Sequence, residues 1–148
     1  MAKPDGAWGE AVIRRAGRDV TIVTYSKMVF EALAAAEALE ASGVAAEVID
    51  IRTLNPLDDQ TIVASVRRTG RAMVVTEAAM TGGFAAELSA RISERCFDAL
   101  EEPVVRVAGE DIPIPVSPAL ERSSVPNAQL IAETGLWLVK RTAPTWAA

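Results

Sequence analysis

The chain of 148 residues has no histidine and one cysteine, Cys96. Without histidine, a Ser-His-Asp type of triad is excluded, and a zinc site would have to be built from carboxylates alone. Cys96 stands beside Phe97 on a stretch read as an apolar helix, and it reads as a core thiol. No apolar run approaches the roughly 20 residues that cross a bilayer. The opening Met1-Ala-Lys-Pro-Asp-Gly6 lacks the basic-then-apolar order of a signal peptide, so a cytoplasmic protein without a membrane partner is expected. Basic clusters are missing too. With a net charge of -5, a pI near 4.8 and scattered Lys and Arg, the chain is expected not to bind nucleic acid. Internal repeats and low-complexity tracts are absent.

What is present is a 50% hydrophobic composition, enough for one domain with its own core. The stretch Val74 to Leu88 organises the rest. Val74 and Val75 suit a strand covered on both faces, Glu77 stands at its carboxyl end, and Thr81 precedes Gly82 and Gly83. The Thr81 hydroxyl is expected to cap a helix whose stripe is Phe84, Leu88 and Ile92, with Phe97 one step off register, and which ends near Leu100.

The remaining segments fall into order around this unit. Residues 1–9 read as a linker or domain edge, 10–140 as the domain and 141–148 as a tail. Ala11 to Arg15 and Val20 to Thr24 flank Gly17 and predict a hairpin. Ser26 is the predicted N-cap of a helix through Met28, Val29, Ala32, Leu33, Ala36 and Leu39 that stops at Gly43. Val48 to Ile51 is the next strand, reached by a right-handed parallel crossover. Asp58 and Asp59 open a helix that closes with Arg67, Arg68 and Gly70, its charges matching its dipole. A strand over 71–76 leads into the central unit, and Val104 to Val107 forms another. In Glu110 to Pro118, closely spaced prolines exclude helix, and alternating Ile112, Ile114 and Val116 are expected to lie against a surface. A last helix starts at Pro126, is weakened at Gly135 by about 1 kcal/mol, and gives way to an apolar Leu136 to Val139 and Trp146. A protein contact is expected near that end, with Trp137 as its candidate. The sum is a three-layer α/β/α domain with about five strands, mostly parallel, and one antiparallel edge strand.

Several stretches keep a recognisable order: Asp19 to Val29, Asp50 to Asp58, Thr76 to Glu87, Arg106 to Pro115, and Leu120-Glu121 before Pro126. Together they resemble the C-terminal, transketolase-type domain of the β subunit of 2-oxo acid dehydrogenases, closest to the pyruvate and branched-chain enzymes. The resemblance runs from about residue 10 to about residue 140. It implies that thiamine diphosphate and magnesium bind elsewhere in the parent enzyme, between the α subunit and a pyrimidine-binding domain of the β subunit. It also implies assembly as the work of this domain: packing on those neighbours and, in some members, docking the subunit-binding domain of the acyltransferase core. No cofactor-binding, metal or catalytic residue is then expected in this chain, which would be inactive alone. The family pattern has histidine where this chain has Phe30, often another where it has Thr76, and glycine where it has Ala85; none is a catalytic position in the family.

The residues alone support a second reading, a free-standing module for a small organic anion or nucleotide. Its candidates are the residues that the first reading would use as interface. Tyr25, Ser26 and Lys27 open the first helix at a strand's carboxyl end, where ligands favour parallel sheets. Thr81, Gly82, Gly83 and Phe84 form the turn, with Glu77, Glu87, Arg106 and Asp111 around it. Arg106 is expected to pair with Glu77 or Glu87, and Asp111 to accept backbone N–H groups. A homodimer through the apolar C-terminal region is a further expectation.

Overall fold

The computed structural model describes residues 7–141, so Trp146 and Met1 to Gly6 lie outside the described residues. A sheet of five strands in the order β1-β3-β2-β4-β5 is the middle layer. The strands are β1 (Val12–Arg15), β2 (Val20–Thr24), β3 (Ala46–Asp50), β4 (Ala72–Ala79) and β5 (Val105–Gly109). The helices are α1 (Met28–Ala41), α2 (Asp59–Thr69), α3 (Phe84–Cys96), α4 (Pro118–Ser124) and α5 (Ala128–Lys140). β2 lies between parallel β3 and β4, β5 is parallel to β4, and β1 closes the far edge antiparallel to β3. The chain leaves β2 for β3 in one direction, then passes back over β2 to β4. Right-handed crossovers in opposite directions put α1 and α2 on opposite faces.

Both faces of the central strands are therefore covered, which is why all residues of β2 and β3 are buried. On one face Val20, Ile22, Val48, Met73 and Val75 meet the alanine stripe of α1 and the Ile131 and Leu138 face of α5. On the other, Val23, Ile49 and Val74 meet Ile62 and Val66 of α2 and Ala85, Leu88 and Ile92 of α3. Thr21 sits within the second layer without cost, because its hydroxyl is 2.7 Å from that of Ser65 and 2.8 Å from that of Thr69. Gly135 is where α5 crosses α1: a Cβ there would come within 2.8 Å of Leu39 Cδ1. The glycine exchanges helix propensity for close packing, and α5 runs through it unbroken.

Several sequence expectations are corrected here. β1 and β2 are not a hairpin. Arg18 and Asp19 both donate their backbone N–H to Ala45 O at 3.0 Å, so the connecting loop wraps around the amino end of β3 and delivers β1 to its far side. Gly17 is required for that wrap and not for a turn, since a Cβ would fall 2.2 Å from the Ala46 carbonyl carbon. β1 is tied down by Asp58, which accepts the Ala11 N–H at 3.0 Å while capping α2 through the Thr61 N–H at 3.0 Å. Burial acts to raise the Asp58 pKa, but the hydrogen bonds from Thr61, Ala11 and Gln60 outweigh it and hold the carboxyl below its ordinary value.

Ser26 does not cap α1. It takes a left-handed conformation, φ 57°, and Lys27 occupies the cap position without a side-chain hydrogen bond. α3 ends at Cys96, not near Leu100, and Phe97 is 83% exposed. The i+4 series from Phe84 through Leu88 and Ile92 reaches Cys96 on the buried face, and burial raises that thiol's pKa above its ordinary value. Residues 110–117 contain no helix, as expected, but α4 begins at Pro118, where a proline at the first helical position loses no hydrogen bond. Nor does the proline segment lie on a surface: Ile114 is 69% and Val116 98% exposed. Leu136 to Val139 belong to α5, with Leu138 buried in the first layer, so they are not a greasy tail. Among the described residues no helix is long and apolar enough to cross a membrane.

Candidate functional site

The candidate residues gather at the carboxyl edge of the sheet, in two corners. The first lies where β4 turns into α3. β4 runs to Ala79, beyond the predicted end at Thr76, and its pairing with β5 breaks register between Val75 and Ala79. Glu77 is thus inside the strand. The turn that follows is sewn to the end of β5. Met80 N–H donates to Gly109 O at 2.9 Å, and the Arg106 guanidinium donates to Met80 O at 3.0 Å. Asp111 accepts the Thr81 N–H at 2.8 Å and the Thr81 hydroxyl at 2.6 Å.

Those bonds redirect two expectations. The Thr81 hydroxyl is committed to Asp111 and caps nothing, so the N-cap position of α3 falls to Gly83. Arg106 holds the Met80 carbonyl instead of Glu77 or Glu87, while Glu87 pairs with Arg91 at 2.7 Å along α3. Arg91 and Arg95 both reach Asp59 at 3.1 Å, so Glu87 belongs to the outer seam between α2 and α3. Phe84 packs on the second core layer. Asp111 is held below the ordinary aspartate pKa, chiefly by the Thr81 hydroxyl, then by the Thr81 N–H, with the Arg106 charge adding to both. A carboxylate of the chain therefore already sits on the turn at Thr81, Gly82 and Gly83. Beneath it, the Thr76 hydroxyl is fully buried and without a hydrogen-bond partner.

The second corner lies where β2 and β3 end side by side. Ser26 and Arg52 follow these strands, and both have φ 57°, an arrangement that costs a non-glycine residue about 1–2 kcal/mol. Asp50, 8% exposed, accepts from Arg14 Nε at 3.1 Å and from Arg14 Nη2 at 2.8 Å, and its other oxygen accepts the Arg52 N–H at 3.1 Å. Arg14, Asp50 and Arg52 line a cleft of about 500 Å³ with Ser26, Val29, Phe30 and Leu33. Phe30 is 75% exposed at its rim. Lys27 is exposed at the start of α1. Tyr25 lies between the corners, its hydroxyl pKa raised first by burial and then by the negative charge of Glu77.

Sequence reasoning singled out Ser26 here but missed Arg14, Asp50 and Arg52. The available signal was an acidic residue inside the apolar run Val48 to Ile51, which a buried strand tolerates only with a partner. Trp137 lies far along α5 and joins neither corner. It is partly buried on the first core layer, with the Arg141 guanidinium 5.4 Å from its ring centroid. Among the described residues, no group of three or more His, Cys, Asp or Glu is placed to hold a metal ion.

Compared with known proteins, residues 9–131 match the transketolase C-terminal domain. The chain belongs to that family. A pyruvate dehydrogenase E1 component subunit beta of Bacillus subtilis is 48% identical over 126 residues, covering 85% of this chain and 38% of the relative. In Arabidopsis thaliana, a mitochondrial pyruvate dehydrogenase E1 component subunit beta-1 is 49% identical over 121 residues, covering 82% and 33%. The beta subunit of an acetoin:2,6-dichlorophenolindophenol oxidoreductase of Cupriavidus necator is 44% identical over 133 residues, covering 87% and 39%. A solved split-gene transketolase, described as an inactive β4 tetramer, superposes with a TM-score of 0.75 at 30% identity, over 94% of this chain and 45% of the other. This transketolase C-terminal domain thus spans little more than a third of the curated subunits that it matches.

Proposed function

We propose that this transketolase C-terminal domain is the assembly domain of a β subunit in a thiamine-diphosphate-dependent 2-oxo acid dehydrogenase of the pyruvate or branched-chain type, inactive by itself. The observation that carries the reading is the 48% identity to a pyruvate dehydrogenase β subunit of which the chain covers only 38%. Its partners in this reading are the α subunit and the pyrimidine-binding domain of the β subunit, with the acyltransferase core as a further docking partner. A homodimer is the state expected when those partners are missing.

The donor chemistry of the described residues does not fit thiamine diphosphate with magnesium, because the carboxylates are spread over ion pairs and caps and no three of them converge. The reading therefore assigns cofactor and metal to the neighbouring domains and routes no chemical step through this one. The C. necator relative favours a second reading within the same architecture, in which the enzyme's substrate is acetoin.

The test is reconstitution. The 148-residue chain is mixed with the α subunit and the pyrimidine-binding part of a close β-subunit relative, followed by light scattering after size exclusion and by dye reduction with pyruvate, 3-methyl-2-oxobutanoate or acetoin. A stable complex that turns over one of these substrates, with no turnover by the chain alone, is expected. Turnover by the isolated chain, or failure to associate, overturns the reading.

A further inference from the structure

We infer that the outer edge of β5 binds an extended, proline-free segment of another polypeptide, which joins the five-stranded sheet and sets an apolar side chain in the groove beside it. The backbone decides the class of partner. β5 is an edge strand with β4 as its one neighbour, and Gly109 O faces inward, where it accepts the Met80 N–H at 2.9 Å. Backbone groups alternate in direction along a strand, so the N–H and C=O groups of Arg106 and Ala108 face outward. The next outward donor, the Glu110 N–H, is taken by Ser124 O at 2.9 Å, whereas those of Arg106 and Ala108 have no partner among the described residues. Both residues are half-buried, and the partner that satisfies such a row is a second extended backbone with donors and acceptors at the same spacing.

The opposite edge of the sheet is protected against such pairing. β1 breaks register between Ile13 and Arg15 and carries two arginines. β5 keeps its register from Val105 to Val107 and contains no proline. Its Arg106 guanidinium is turned onto Met80 O, so the partner is held without it. Beside the edge, Met80 and the Leu130 and Thr134 turn of α5 enclose a groove of about 280 Å³. The Thr134 hydroxyl donates to Leu130 O at 2.8 Å, which leaves the helix wall apolar. Val105 and Val107 point into the same layer as α5, so the side chains that an added strand sends to that face enter the groove. Main-chain pairing then supplies affinity, and the groove selects a large aliphatic residue.

The inference does not rest on the assembly reading and is tested on the 148-residue chain alone. The probe is the peptide acetyl-Thr-Leu-Thr-Val-Thr-amide, followed by amide NMR and hydrogen exchange, with its fully N-methylated form as control. Saturable binding of the probe is expected, with shifts centred on Val105 to Ala108, Leu130 and Thr134, with slowed exchange of the Arg106 and Ala108 amides, and with no saturation by the control. Ala108→Pro removes an outward donor and leaves the bonds to β4 in place, and it should weaken the probe by about tenfold. Should that variant fail to fold, the N-methylated control on the parent chain decides alone. The inference is overturned if the probe does not saturate, if the control binds as tightly, if folded Ala108→Pro binds as the parent does, or if the shifts centre on the cleft beside Phe30.

Discussion

The two corners of the carboxyl edge are finished in opposite ways by one chain. At the β4 corner the polar groups face inward on one another: Asp111 takes both Thr81 donors, Arg106 takes the Met80 carbonyl, and Met80 takes Gly109. At the β3 corner Arg14 and Asp50 are also paired, but the pair lies on the floor of a cleft that the chain leaves open beside an exposed Phe30. A donor spent on its own loop stabilises that loop and is lost to any partner. The glycine turn, although it has the residue types of an anion cradle, is thus the self-satisfied corner, whereas the β3 corner keeps an open cleft.

The sharpest way to break this comparison is to remove the floor of the open corner. Asp50→Ala leaves Arg14 without its partner in a half-buried site and frees the Arg52 N–H. The cost expected in urea unfolding is about 2 kcal/mol, below the full value for a buried pair because the Arg14 side chain is 35% exposed. The double change Arg14→Met with Asp50→Leu should recover much of that loss, since no charge is then left alone. If Asp50→Ala is neutral, the cleft floor is not held by this pair.

The opposite sign is expected in the closed corner. Thr76→Val removes the one buried side-chain hydroxyl without a partner among the described residues and keeps the shape of the side chain. A gain of about 1 kcal/mol in the same unfolding measurement is expected, because an unsatisfied buried polar group costs more than its hydrogen bond would contribute. A loss of stability would show that the hydroxyl is satisfied in solution. With both variants in hand, polar groups that hold the fold are separated from one that merely sits in it.

Why the comparison was only partly legible in sequence follows from which information is local. The alternation of β2, α1, β3, α2, β4 and α3 is written in short apolar runs and helical stripes, and the cap Asp58 and stop Gly70 were readable because caps act over three or four residues. The pairing of β1 was not readable, since two strands flanking a glycine imply a hairpin unless the loop is known to pass around β3. α4 hid behind Pro118, which signals a break and a helix start with the same letter. The open corner was hidden most deeply. Arg14 and Asp50 are 36 positions apart, and nothing in either neighbourhood names the other.

The smallest expected effect is a titration, and it tests the closed corner most directly. Asp111 has a lowered pKa because the Thr81 hydroxyl and N–H bind its charged form, with Arg106 nearby. A carboxyl whose folded pKa lies below its unfolded value contributes stability above the ordinary aspartate range, near pH 4, and loses it as the pH falls through the folded value. The Thr81 turn should therefore stay closed at neutral pH and loosen only in acid, as read by the exchange of the Thr81 amide. By carbon NMR of the side-chain carboxyl, the Asp111 midpoint should lie below that of a free aspartate and rise in Thr81→Val, which keeps the backbone donor and loses the hydroxyl. Asp111 is exposed, so water competes for the carboxylate and the effect on global stability should be slight. A midpoint unmoved by Thr81→Val would mean that the carboxylate is not spent on the turn, and the glycine corner would then be as open to a partner as the cleft beside Phe30.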